Sequence, residues 1–98
     1  MSARVEKIQR LLVEALDPVH IDIHDDSASH AGHAGTQESG GGHFYATIVS
    51  SAFEGRTLVQ RHQLVYEALG DMMRTDIHAL SIKAFTPTEF DIKTRTHR

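Results

Sequence analysis

Residues 19–50 read VHIDIHDDSASHAGHAGTQESGGGHFYATIVS: two strand-like runs separated by a long, polar, glycine-rich connection. In the first run Val19, Ile21 and Ile23 alternate with His20, Asp22 and His24, the period of a strand with one buried face. That parity predicts the three aliphatic residues in the core and both histidines in solvent. In the second run Phe44, Ala46 and Ile48 alternate with Tyr45, Thr47 and Val49, β-forming residues throughout, so a second strand is expected over about residues 43–50. The two read as a hairpin with an oversized loop, and a connection of this length in a small domain is functional or disordered.

Upstream, Val5, Ile8, Leu11, Leu12, Ala15 and Leu16 recur at helical spacing opposite Arg4, Glu6, Lys7 and Glu14, which predicts a helix over about residues 3–16. Asp17-Pro18 ends it, because proline disfavours the helical conformation of the residue before it. Downstream, residues 50–55 form a turn in which Gly55 tolerates positive φ and Phe53 anchors the chain to the core. A second helix is expected over about residues 57–73. Leu58, His62, Val65, Tyr66, Leu69, Met72 and Met73 fall within about 120° of arc on it, with His62 inside this core-facing stripe. Gly70 weakens the helix late on and marks a break or a change of direction before Thr75-Asp76.

A third strand over about residues 78–85 places Leu80, Ile82 and Ala84 on one face and Ala79, Ser81 and Lys83 on the other. By simple alternation His78 shares the buried parity, at the mouth of the strand. Thr86-Pro87-Thr88-Glu89 has the form of a capping box with proline at the first helical position, so a short last helix starts there, with Phe90 available to pack back. Beyond Asp91 the basic tail is expected to fray. The order helix, strand, strand, helix, strand, helix predicts one α+β domain over residues 1–98, a three-stranded mixed sheet with helices packed on one face.

Composition narrows the function classes. There is no cysteine, so the chain offers no disulfide, thiolate ligand or cysteine nucleophile, and sulfur for a metal must come from a partner. No apolar run approaches the roughly 20 residues of a membrane span, and the first residues fit neither a secretory signal nor a transit peptide. A cytoplasmic location without membrane association is therefore expected. A net charge of −3 is not the overall basic footprint of a nucleic-acid binder. No Gly-x-Ser-x-Gly elbow is present and Asp25-Asp26 has no evident proton donor beside it, so a non-enzymatic role is expected.

Eight histidines in 98 residues raise the prior for a metal site, imidazole being the commonest metal ligand. His30 and His33 lie in a doubled His-Ala-Gly step within the loop, followed by His43 at the strand base, and short spacings of this kind let side chains converge on one ion. A solvated polar loop is the plain alternative. His78 reads either as a ligand close to the loop base or as a strand-end cap, and His62 as a buried, hydrogen-bonded histidine. A zinc module of His30, His33, His43 and His78 is one outcome of this pattern. Arg56, Arg61 and Arg74, with Lys93 and Arg95 in the tail, make either a phosphate-facing patch or a set of surface pairs with Glu54, Glu67 and Asp71.

Three segments carry more than spacing: residues 49–55 with Phe53-Glu54-Gly55; residues 60–69 with Arg61-His62 and Val65-Tyr66; and Ile77-His78-Ala79-Leu80 with Thr86-Pro87 after it. At these separations the combination resembles the BolA family over nearly the whole chain. The resemblance implies a fold similar to the class II K-homology domain. It implies partnership with a monothiol glutaredoxin through a shared [2Fe-2S] cluster, in iron-sulfur trafficking or iron regulation. It also implies His78 as one cluster ligand and a loop residue as the other, here His30 with His33 as close competitor, glutathione and the glutaredoxin cysteine supplying sulfur. Histidine ligation of one iron resembles a Rieske centre. Some members are described as transcriptional regulators of stress response and cell morphology, which makes DNA binding through Arg56, Arg61, Lys93 and Arg95 the alternative. A weak homodimer is compatible with either role.

Overall fold

The computed structural model describes residues 3–26, 42–75 and 77–95. Its elements are α1 (Ala3–Leu16), β1 (His20–Asp25), β2 (Gly42–Val49), a 3-10 turn (Ser51–Phe53), α2 (Leu58–Leu69), α3 (Met72–Thr75), β3 (Ile77–Phe85) and α4 (Pro87–Arg95). The sheet order is β1-β2-β3, with β1 antiparallel and β3 parallel to β2. This is the expected α+β arrangement with a mixed sheet.

The inner face of the sheet carries Phe44, Ala46, Ile48, Ile77 and Ala84. It packs against Val5, Ile8, Leu12 and Leu16 of α1, Phe53 of the turn, Val65 and Leu69 of α2 and Met72 of α3. Phe53 is fully buried, as an anchor must be. Beside it Ser50, also fully buried, donates its hydroxyl to the Leu16 carbonyl at 2.6 Å and accepts from the Ala52 N–H at 3.0 Å. One side chain thereby ties the end of α1 to the turn after β2 and satisfies polar groups that burial would otherwise penalise.

Two expectations, the burial of Val19 and the face of α2, give way to tertiary context. Val19 is 71% exposed, because β1 begins one residue later and Val19 lies beyond the edge of the core. The second helix breaks at Gly70, as the glycine there suggested: its φ of 56° and ψ of −126° suit glycine, and α3 starts at Met72. The buried stripe of α2 is also rotated from the one predicted. Arg61, Val65 and Leu69 are buried and His62 is half-buried, while Leu58 and Tyr66 are exposed. Its start is set by a Thr57–Gln60 capping box, with Gln60 N–H donating to Thr57 Oγ1 and Thr57 N–H to Gln60 Oε1.

The Thr86–Glu89 capping box forms as read from the sequence, with Glu89 N–H donating to Thr86 Oγ1 at 3.1 Å and Thr86 N–H to Glu89 Oε1 at 3.0 Å. Helix α4 runs on to Arg95, past the Asp91 where fraying was expected. It reaches the outer face of the sheet at one end. Phe90 stacks on His20 with ring centroids 5.1 Å apart and meets Phe85 at 5.7 Å. Val49 is the register partner of both His20 and Phe85, which accounts for its burial on a face otherwise half-open.

Candidate metal centre

The base of the long loop is closed by the ladder itself. Asp25 pairs with Phe44, and the Asp26 N–H donates to the His43 carbonyl at 2.8 Å. The segment carrying His30 and His33 therefore leaves and re-enters the sheet at adjacent points. His30 and His33 themselves lie outside the described residues.

His78 meets this base from the other side. Along β3 the register runs Gly42 to Ile77 and then His43 to Ala79, so His78 is an extra residue at a bulge. The bulge resets parity: Ile77 is buried, His78 and Ala79 are exposed, and Leu80 returns to the inner side. Simple alternation had given His78 the buried parity, and the irregularity overturns that. The same bulge brings the His78 ring to 5.2 Å from the ring of His43, with an angle of 34° between planes. His24, on β1, lies 6.2 Å from Tyr45 and has Nε2 3.9 Å from the Asp26 carboxylate, an exposed pairing of little energetic weight. Among the described residues no three His, Asp or Glu side chains gather into a metal-holding group; His43 and His78 are the imidazoles that β2 and β3 bring together.

The basic residues are dispersed. Arg61 is buried, with Nε donating to the Arg56 carbonyl at 3.0 Å and Nη1 to the Ala84 carbonyl at 3.0 Å. Its two terminal nitrogens grip Glu89 at 2.7 and 3.1 Å. The partner is thus a residue of α4 rather than Glu54, Glu67 or Asp71. The hydrogen bonds from Arg61, helped by the Thr86 N–H, hold the Glu89 carboxyl down at about 2, and the same contact raises Arg61 above its ordinary value. Arg56 is exposed and its Nε donates to the Ala52 carbonyl at 3.1 Å. Lys93 places its ammonium 5.9 Å from the Phe85 ring centroid. Arg95 closes α4, its side chain outside the described residues.

The role of Arg61 was not found from the sequence, since an arginine within a helix reads as surface. Its position next to the apolar stripe and the acidic residue of the downstream capping box were the available signals.

Fold and site together define a small α+β domain of αββααβα order with two imidazoles, His43 and His78, side by side at the base of a strand-connecting loop. The chain belongs to the BolA-like protein family, whose model matches residues 12–89. It is 44% identical to SufE-like protein 1, chloroplastic/mitochondrial, of Arabidopsis thaliana over 91% of this chain and 25% of that protein. The solved BolA domain of that protein superposes with a TM-score of 0.77 at 44% identity, covering 91% of this chain and 98% of the domain. Identity is also 44% to Protein BOLA1, chloroplastic, of the same plant, over 88% of this chain and 55% of the relative. The DNA-binding transcriptional regulator BolA of Escherichia coli (strain K12) is 31% identical over 88% of this chain and 78% of its own length. The chain thus spans a quarter to about half of the first two relatives. No helix among the described residues is long and apolar enough to cross a membrane.

Proposed function

We propose that this chain is a non-enzymatic partner of a monothiol glutaredoxin and co-ligates a [2Fe-2S] cluster with it, in iron-sulfur trafficking or iron regulation. The observation that carries the reading is the placement of His78: exposed on a bulge, at the closed base of the loop that holds His30 and His33. The donor set fits such a group. With no cysteine in the chain, imidazole is the nitrogen donor it offers to iron, and His78 stands where a partner and the loop can reach it. His78 would supply one ligand and His30 the second, His33 being the competitor. The glutaredoxin cysteine and glutathione would complete the set. When bound, the cluster supplies electron-transfer or transfer chemistry, with histidine ligation raising its reduction potential. The chain's own task is to present His78, exposed at the β3 bulge, toward the cluster.

Mixing the chain with cluster-loaded glutaredoxin and glutathione under oxygen-free conditions should change the visible spectrum to that of a heterodimer. The His78→Ala, His30→Ala double variant should lose this change, and an unaltered spectrum would show that the ligand assignment is wrong.

A second reading, DNA binding, draws on the name of the Escherichia coli relative. Burial of Arg61 leaves Arg56, Lys93 and Arg95 to carry it, on a chain of net charge −3. It requires an affinity that falls steeply with salt as phosphate neutralisation releases counterions. Absence of binding at low salt would remove it.

A further inference from the structure

We infer that His43 and His78 form a two-imidazole clip for a single divalent transition-metal ion in the chain without its partner. This rests on the same His78 as the cluster reading, but its second ligand is a strand residue and it needs no glutaredoxin. Three observations support it. First, the two rings come from neighbouring strands of one parallel pair, so the ladder sets the two backbones side by side. Second, the extra residue at the bulge is His78 itself: the next residue, Ala79, is the register partner of His43, and His78 is exposed together with Ala79, its ring 5.2 Å from that of His43. Third, the spacing suits an ion. With metal–nitrogen bonds of about 2.0–2.1 Å and a tetrahedral angle, two imidazoles sharing one ion have ring centroids about 5 Å apart. The observed separation is 5.2 Å, and the 34° tilt is not that of a flat stack.

Among the described residues these two imidazoles are the ligands the clip offers the ion. Imidazole ligation suits zinc, copper, nickel and iron ions rather than magnesium or calcium, so the class is a borderline divalent metal. Because His78 belongs to both arrangements, the clip and the cluster exclude each other. A metal ion held by His43 and His78 would keep the cluster position closed until a partner displaced it.

The test uses the full chain and zinc ion alone, following the histidine ring resonances by long-range proton–nitrogen NMR. The expected result is saturation near one equivalent, with the rings of His43 and His78 shifting together. His43→Ala and His78→Ala should each weaken binding at least tenfold, and the His30→Ala, His33→Ala double variant less than threefold. If only the loop histidines move, or if His43→Ala binds zinc as tightly as the parent, the clip does not exist. The ring shifts in the unmodified chain decide the matter even if a variant folds poorly. The cluster reading fails separately: loss of the glutaredoxin-dependent spectrum in the unmodified chain would sink it and leave the zinc titration standing. His43→Ala should retain that spectrum while losing zinc.

Discussion

Arg61 and Glu89 join α2 to α4 through a two-pronged ion pair, with guanidinium nitrogens 2.7 and 3.1 Å from the two carboxylate oxygens. The same carboxylate accepts the Thr86 N–H that opens α4, so a local capping box and a long-range tie share one group. The Arg61 side chain is 9% exposed and that of Glu89 46%, which sets the weight of each partner.

Glu89→Gln should destabilise the fold by about 1 kcal/mol at neutral pH, a value reduced for the solvent screening of a carboxylate nearly half exposed. The sign follows from linkage. Glu89 titrates at about 2 in the folded chain against an ordinary 4.5, so its contribution is complete above about pH 4.5 and drains away as pH falls through 2. Urea midpoints of parent and variant should differ at pH 7 and converge toward pH 2; a constant difference would place the effect elsewhere.

Arg61→Ala should cost more, about 3 kcal/mol, because it removes hydrogen bonds to the Ala84 and Arg56 carbonyls as well as the ion pair. Arg61→Lys should recover only a minor part, since an ammonium cannot reproduce the planar fork. Equal stability of the lysine variant and the parent, in chemical denaturation, would show that the fork geometry is unimportant.

Ser50→Ala should lower stability by about 1–2 kcal/mol, leaving the Leu16 carbonyl and the Ala52 N–H without their shared hydroxyl in a fully buried position. The midpoint of urea unfolding measures it, and a change below about 0.5 kcal/mol would mean that water replaces the hydroxyl.

Gly70→Ala should cost about 1–3 kcal/mol through backbone strain alone. An added Cβ meets nothing within 4 Å there, but φ is 56° with ψ at −126°. Thermal unfolding of the variant measures it; a loss below about 0.5 kcal/mol would point away from the φ requirement.

His78→Ala should leave the urea midpoint within about 0.5 kcal/mol of the parent, because the side chain is exposed on a bulge and outside the core. Loss of metal or cluster signals in that variant then reports a ligand and not a collapsed fold. A larger stability change would assign His78 a structural duty.

Much of this architecture is legible residue by residue. The Thr86–Glu89 box, the anchor Phe53, the alternation of Phe44, Ala46 and Ile48 and the stop at Asp17-Pro18 are local signals, and each depends on neighbours within a few positions. Thr57–Gln60 carried the same kind of signal. The misplaced features depend on distant partners. Val19 alternates correctly with Ile21 but has no core above it, and the stripe on α2 turns toward Arg61 because Glu89 and the Ala84 carbonyl wait on that side.

The site divides along the same line. The chain's residues alone determine that it offers imidazoles and no thiolates, that His30 and His33 fall in the sequence between β1 and β2, and that His78 follows Ile77 at the start of β3. Tertiary structure decided that His78 stands outside the core and beside His43. A strand's parity is local, but a bulge is a property of the pairing between two strands, and only the register of β3 against β2 places the extra residue at His78.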